Sequence, residues 1–488
     1  MTGHSSVTTI VDAHDARRIA NVHPPDWVNP VASGRYHLVV IGAGTAGLVT
    51  AAAAAGLGAR VALIEKHLMG GDCLNVGCVP SKALLAGARL EHAEFAAVMS
   101  RMRRLRADLS AIDSATRFRN LGVDVFFGSA AFDGPDRITV AGEVLHFRRA
   151  VIATGARPAA PPIPGLEQVP HFTNETLFDL TKAPARLLVI GGGPIGCELA
   201  QAMARLGSTV TILDRESRLV THDDADAADV LGAALRRDGI TLELGVTIDG
   251  VSGGDGVTIN FHRDGTSATA HGDALLVAAG RAPNVEGLHL ERAGIEVGKD
   301  GVTVDDHLRT TNRHVFAAGD VASRHQFTHT ADFQARIVVA NALFPGRQRA
   351  SALVIPWCTY TDPELAQVGL TAATAAEQGV AIDTVTVPWA EVDRAVLDAT
   401  TEGFLRLHLA RGTDRLVGAT VVGAHAGELI AEATLAITNG VNLGGIGGTI
   451  HPYPTLAEAY RKAADQWRRR KLTPLVRRVL ALWFWITR

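Results

Sequence analysis

Tyr36-His-Leu-Val-Val-Ile-Gly42-Ala-Gly44-Thr-Ala-Gly47 is the stretch that decides how this chain is read. A run rich in β-branched and apolar residues enters a glycine turn, and an alanine-rich run leaves it, the pattern of strand, tight turn and helix. A second strand pattern, Arg60-Val-Ala-Leu-Ile, then ends on an acid, Glu65. Glycines spaced G-x-G-x-x-G are weak evidence alone. In this setting they serve a tight turn, close approach of backbone to a pyrophosphate at the helix N-terminus, and close helix–strand packing. The acid at the end of the second strand is placed for ribose hydroxyls. The unit recurs, as Leu187-Leu-Val-Ile runs into Gly191-Gly-Gly193-Pro-Ile-Gly196, a helix follows, and Thr209-Val-Thr-Ile-Leu ends at Asp214. Two such units imply two dinucleotide sites.

Composition narrows the rest. The 488 residues suggest about three domains at roughly 100–200 residues each. With 47% hydrophobic and 20% charged residues the chain has globular composition, which argues against disorder. A net charge of −3 gives no global basic field, so no nucleic-acid partner is expected. Four cysteines in this length do not make a secreted disulfide scaffold. Met1 to Ala20 shows no apolar core of a secretory signal, and no apolar run reaches the roughly 20 residues of a spanning helix. The expectation is a cytoplasmic α/β enzyme of several domains.

Gly70-Gly71-Asp72-Cys73-Leu-Asn-Val-Gly-Cys78-Val-Pro80 follows the first unit. Two cysteines five positions apart, where a helix would begin, can close a small redox-active ring. A helix N-terminus favours the thiolate, so a depressed pKa is expected for Cys78. Half a zinc site and two buried thiols are the other readings. Zinc would need clustered partners, whereas Cys197 and Cys358 stand alone, so no metal site is expected.

With these motifs in this order, the chain from about residue 36 to 465 resembles the class I pyridine nucleotide–disulfide oxidoreductases: glutathione reductase, dihydrolipoamide dehydrogenase and mercuric reductase. The resemblance implies an α/β fold with two Rossmann-like domains, for FAD and NAD(P), and a C-terminal α+β dimerisation domain. The expected organisation is an N-terminal extension (1–35), an FAD-binding domain (36–157 and 281–350), an NAD(P)-binding domain (158–280), a dimerisation domain (351–465) and a basic amphipathic tail (466–488). It assigns Gly42, Gly44, Gly47, Glu65, Gly71, Lys82, Thr154, Gly155, Gly319 and Asp320 to FAD. Gly191, Gly193, Gly196, Asp214, Arg215 and Gly280 fall to NADH or NADPH. By the same resemblance Lys82 lies near the reactive ring of the flavin with Glu198 as its ion-pair partner. Cys78 is the thiol beside the flavin, forming the charge-transfer pair, and Cys73 the exposed thiol that meets the acceptor. Electrons would run from NAD(P)H through FAD to the disulfide and out through Cys73, or in reverse to oxidise a dithiol.

Two details bear on specificity. Asp214 suits the ribose of NADH, whereas Arg215 stands where NADP-using relatives grip the 2′-phosphate; the balance leans to NADH. Ile450-His451-Pro-Tyr453-Pro-Thr-Leu-Ala-Glu458 matches the signature in which disulfide reductases and lipoamide dehydrogenases carry a catalytic histidine, delivered from the partner subunit and oriented by the Glu. Here Tyr453 takes that place. Tyrosine, with a pKa of about 10, is a poor proton shuttle beside histidine. Tyrosine there, and Ala426-Gly-Glu-Leu-Ile430, resemble the mercuric reductase branch. Yet no cysteine follows Cys358, so the C-terminal thiol pair that hands Hg(II) inward in that branch is missing. The expected activity is electron transfer from NAD(P)H to a small acceptor, either a metal–thiol species or a small oxidant. The alternatives are dihydrolipoamide dehydrogenase-type dithiol oxidation and a membrane-peripheral donor to a protein or quinone.

The tail supports that last alternative. Gln466–Arg488 holds seven basic residues and no acid, so the chain's −3 splits into +7 on the tail and −10 elsewhere. Leu472, Leu475, Val476, Val479, Leu480, Trp483 and Ile486 recur at helical spacing, with Arg477 and Arg478 among them. Such a helix either packs on its own dimer or lies on an anionic membrane.

Overall fold

The computed structural model describes residues 9–488, and the first eight residues of the N-terminal extension lie outside it. The chain divides into two compact units, Met1–Arg215 with Gly239–Leu353, and Glu216–Asp238 with Val354–Arg488.

The first unit holds two nucleotide-type sheets. In one, parallel strands Val123–Phe127, Val61–Glu65, Arg35–Ile41 and Glu143–Ile152 lie side by side, and Val315–Ala317 pairs in parallel with the last. These strands are buried on both faces, so they read as continuous apolar runs. Helix Thr45–Gly56 leaves the first glycine turn and packs against helix Thr328–Leu343. The other sheet repeats the design with parallel strands Thr241–Leu244, Thr209–Asp214, Arg186–Ile190 and Ala274–Val277. Helix Pro194–Arg205 leaves its glycine turn with proline at the first position, where no N–H is needed.

Residues 1–35 carry little hydrophobic periodicity, yet Ala13–Val22 is a helix packed on helix Phe95–Ser110. Its buried positions are Asp15, Arg18 and Val22, so the inward face is largely charged and no apolar stripe announces it. Asp12 caps it, accepting from the N–H groups of His14 (2.9 Å) and Asp15 (3.1 Å), and also takes a 2.7 Å ion pair from Arg103.

The second unit is built on a five-stranded antiparallel sheet in the order Pro356–Thr359, Glu364–Gly369, Leu416–Gly423, Phe404–Ala410, Ile382–Pro388. Helices Ala426–Asn439 and Glu458–Arg470 contribute to its core, where the Trp389 indole N–H donates to Val422 O at 2.7 Å. Glu216–Asp238, inside the stretch 158–280 that the sequence assigns to nicotinamide binding, makes its contacts with this sheet. Asp224 accepts from Thr420 (2.8 Å) and Arg406 (3.2 Å) and faces His408. Burial alone would raise its pKa, but His408, Thr420 and the N–H of Ala372 hold it well below the usual carboxylate range.

The tail departs from the single apolar face expected from Leu472 onward. Helix Glu458–Arg470 runs past Asp465, the chain turns at Lys471–Thr473, and a separate helix spans Pro474–Ile486. Pro474 has no N–H to continue the first helix, and Thr473 caps the second by accepting from Val476 N. None of that helix's residues is buried. No helix among the described residues is long and apolar enough to cross a membrane.

Asp12→Ala removes a cap and an ion pair together; chemical denaturation should register a loss of about 1–2 kcal/mol, and an unchanged midpoint would show that the N-terminal helix adds nothing to the first unit.

Candidate active site

Both glycine turns have the tightness that their spacing demands. Gly42 and Gly191 adopt φ of +98° and +114°. A Cβ on Gly47 would lie 1.8 Å from Gly42 O, and one on Gly196 would lie 1.9 Å from Gly191 O. At Gly193 a Cβ would meet nothing within 4 Å, so the backbone there faces open space. These are the cradles that a dinucleotide pyrophosphate needs at a helix N-terminus. The acids sit at the strand ends as expected. Glu65 accepts from the N–H groups of Ala43 (2.7 Å) and His67 (2.8 Å), and Asp214 accepts from Gly192 N. Burial raises the Glu65 pKa, with those N–H bonds opposing it.

Thr154 and Gly155 are zipped to Asn284. The Thr154 hydroxyl donates to Asn284 O at 2.6 Å, the Asn284 amide donates back to Thr154 O at 2.9 Å, and Asn284 N donates to Gly155 O. Gly319 N donates to the buried Gln334 at 2.8 Å, which fixes the turn before Asp320. Burial pushes the Asp320 carboxyl up to about 6, partly offset by Arg281 at 3.4 Å, which also pairs with Asp72. Gly71 and Gly280 hold positive φ of +56° and +110° near these groups.

Cys73 lies within the short helix Gly71–Asn75, and Cys78 opens helix Cys78–Ala88; both stand as thiols. A hydrogen bond with Cys73 draws Cys78 below the ordinary thiol pKa, against the effect of burial and with help from the Lys82 ammonium. The same hydrogen bond, with burial, pushes Cys73 up. Thr328 Oγ1 lies 3.3 Å from Cys78 Sγ. Lys82, one turn along the helix, donates to both oxygens of Glu198 at 2.7 and 3.0 Å, and Glu198 is 4% exposed. Lys82 and Glu198 thus form the pair that the resemblance implied. A hollow of about 490 Å³ opens beside Cys78 and Lys82, floored by Ala83, Ala86 and Leu105.

In the second unit Tyr453 is exposed and its hydroxyl donates to Asp393 at 2.9 Å, which raises its pKa. Glu458 pairs with Arg461 at 2.5 Å. His451 is engaged on both ring nitrogens, by Glu432 (2.8 Å) and Thr449 O (3.0 Å). Arg215 lies immediately after the strand Thr209–Asp214.

Sequence reading passed over Thr328, Arg281 and Asn284. Asn284 and Arg281 stand in the Gly280-Arg-Ala-Pro-Asn284 run and could have been found there; nothing local marks Thr328, which reaches Cys78 only through folding.

The sequence profile of the pyridine nucleotide-disulphide oxidoreductases matches residues 36–335, and that of their dimerisation domain matches residues 355–464. The chain belongs to this family. Its members are flavoprotein disulfide oxidoreductases, dependent on FAD with NAD(P)H as electron donor, and the dimerisation domain supports a homodimer. A mercuric reductase from Bacillus cereus is 36% identical over 449 residues, covering 88% of this chain and 71% of its own length. A dihydrolipoyl dehydrogenase from Thermus scotoductus is 35% identical over 455 residues, covering 88% and 97%. Among solved structures, the HOCl-induced flavoprotein disulfide reductase RclA from Escherichia coli superposes with a TM-score of 0.81 at 32% identity, covering 88% of this chain and 99% of that one.

The glycine cradles and the half-buried Asp320 fit FAD and a nicotinamide dinucleotide. When bound, FAD supplies the two-electron relay between nicotinamide and disulfide. The chain's own part is to hold Lys82 by Glu198 and to keep Cys78 as a thiolate.

In Cys73→Ser, whose hydroxyl can still donate to Cys78, alkylation of Cys78 by iodoacetamide should titrate below the ordinary thiol range. Adding Lys82→Met should move that midpoint upward by about one unit, because the thiolate loses a nearby cation. A midpoint that stays put or falls would remove Lys82 from the thiolate's environment. Cys78→Ser should abolish the long-wavelength band of the reduced enzyme while FAD stays bound; a persisting band would reverse the roles of the two thiols.

Proposed function

We propose that this enzyme passes electrons from NAD(P)H, by way of FAD and the Cys73–Cys78 dithiol, to a small acceptor, either a thiol-bound metal or a small oxidant. Tyr453 carries the reading. It occupies the place where the family's dithiol enzymes put their proton-shuttling histidine, and donating to Asp393 raises its pKa further from neutrality, so the phenol keeps its proton instead of shuttling it. His451 does not substitute, since Glu432 and Thr449 engage both of its nitrogens. An acceptor that needs only a thiol at Cys73 suits this arrangement. The likeness to a mercuric reductase and to an HOCl-induced reductase supports the same direction. In the cycle proposed, Cys73 loses its thiol proton to solvent as it bonds the acceptor, and Cys78 then attacks Cys73, so that the Cys73–acceptor bond breaks, the disulfide closes and the acceptor leaves carrying two electrons.

Purified enzyme given NADH or NADPH with Hg(II), hypothiocyanous acid, lipoamide, glutathione disulfide and a quinone in turn tests this. Lipoamide and glutathione disulfide should turn over slowly, and Tyr453→His should speed lipoamide several-fold without changing flavin reduction. Lipoamide turnover by the native enzyme of roughly tens per second or more would favour dithiol oxidation instead.

Nucleotide choice rests on Asp214 and Arg215. Asp214→Ala should raise NADPH use relative to NADH several-fold, since a carboxylate at the ribose repels the 2′-phosphate, and Arg215→Ala should act oppositely. Unchanged ratios in both would place the ribose elsewhere.

The exposed tail supports a second contact, with an anionic membrane surface. Helix Pro474–Ile486 presents Leu475, Val479, Trp483 and Trp485 to solvent beside Arg477 and Arg478, and follows the run Arg468–Lys471. Full-length protein should sediment with vesicles containing phosphatidylserine in a salt-sensitive way, and protein shortened to Lys471 should not. Failure of full-length protein to bind, or loss of the dimer on shortening, would assign the helix to the protein's own assembly.

A further inference from the structure

We propose that the helix Ala13–Val22 is a positioning element for the redox loop, and that Arg18 and Asp15 set the geometry in which Cys73 and Cys78 meet. The helix lies outside the stretch matched by the family profile, which begins at residue 36. The proposal rests on the reading of Cys73 and Cys78 as a redox pair.

The two cysteines are joined through Leu74, Asn75, Val76 and Gly77, and Asn75 is where the N-terminal segment takes hold. Its side-chain oxygen accepts from Arg18 Nη1 at 2.7 Å, and its backbone oxygen accepts from Arg106 Nη1 at 2.7 Å. Its amide nitrogen donates to Met69 O (3.0 Å) and Gly71 O (2.9 Å), tying both ends of the short helix that carries Cys73. Arg106 comes from helix Phe95–Ser110, and Asp15 stands between the two arginines, 2.7 Å from Arg106 and 3.6 Å from Arg18. Asp179 faces the same group from the turn Leu177–Asp179. Asp15, Arg18 and Arg106 are 0%, 1% and 2% exposed.

Charges buried this completely are costly unless every partner is in place, so the cluster tolerates little movement. Rigidity is transmitted to one residue only two positions from Cys73 and three from Cys78. Opening the disulfide takes up two electrons and one proton and leaves the Cys73 thiol and the Cys78 thiolate. A loop pinned at its middle keeps those thiols within reach of each other, which raises their effective concentration and favours closure. Losing the pin should therefore favour the dithiol. Other bonds attach the segment to the rest of the unit without touching the loop, among them Asn21 to Ser110 (2.9 Å) and Arg17 to Asp108 (2.5 Å).

The test uses the full-length holoenzyme, equilibrated anaerobically in a series of dithiothreitol ratios, in which the dithiol supplies both electrons as it closes to its own disulfide, one of its protons passing to Cys73 and the other to the buffer. Acid quenching, maleimide labelling and intact mass then give the fraction of protein with Cys73 and Cys78 reduced. Arg18→Met should shift the equilibrium toward the dithiol about tenfold, in line with loss of a buried charged hydrogen bond. Arg18→Lys, which keeps the charge and one donor, should shift it toward the dithiol by about threefold. Arg17→Ala, on the same helix, should leave it unchanged, which a general loosening of the helix would not. Should Arg18→Met fail to fold, Arg18→Lys decides: a measurable shift toward dithiol supports the clamp, and the native ratio overturns it. A native ratio in folded Arg18→Met, or an equal shift in Arg17→Ala, likewise overturns it. If the native protein shows no reversible two-thiol change, the redox pair itself falls and the clamp with it; an intact couple that ignores Arg18 sinks the clamp alone.

Discussion

A Cβ on Gly47 would sit 1.8 Å from the carbonyl oxygen of Gly42, and the same holds within 0.1 Å for Gly196 and Gly191. That exclusion sets the first unit's geometry. Only a helix without a side chain at its third position can leave the strand this closely and turn its free N–H groups toward the open side of the turn. Strand ends, acids and cradles follow from it. The redox helix depends on the first of these turns as well, because Gly71 packs against Gly44, where a Cβ would meet Gly44 Cα at 2.6 Å. The nucleotide turn and the cysteine segment are therefore fitted to each other through this glycine contact and the hydrogen bond from Gly70 N to Ala43 O.

On this backbone the chemistry is electrostatic. Cys78 is drawn down by a hydrogen bond from its partner thiol and by Lys82, while burial works against it. Lys82 is in turn held by Glu198, which a helix from the other glycine unit provides. The two sequence repeats thus meet at one ion pair. Arg281 does comparable work beside Asp72 and Asp320, where burial would otherwise leave carboxylates facing each other without a counter-charge.

What the sequence made legible was whatever local chemistry repeats: strand–turn–helix–acid, twice, and a cysteine pair before a helix. Lys82 and Glu198 came from the resemblance alone, and the structure pairs them. The N-terminal helix was illegible for a physical reason. Hydrophobic periodicity finds helices that bury apolar faces, and this one buries Asp15 and Arg18. Position along the chain does not show where Glu216–Asp238 makes its polar contacts, since Asp224 and Asp226 answer to Arg406, Thr420 and His408 far along the sequence. The break before the last helix was written in Pro474, but a face read from every third or fourth apolar residue passes over one proline.

Glu65 and Asp214 share a habit that reaches beyond binding. Each carboxylate takes an N–H from its own glycine turn, at Ala43 and at Gly192. On the ribose-binding reading, the group that discriminates between nucleotides is also a strut of the turn that holds them. Exchanging that acid alone then shifts preference while weakening the hold on both cofactors, because the exchange slackens the turn for both. Only a second prop for the turn, gained with the new specificity, would let a change of reductant keep its full affinity.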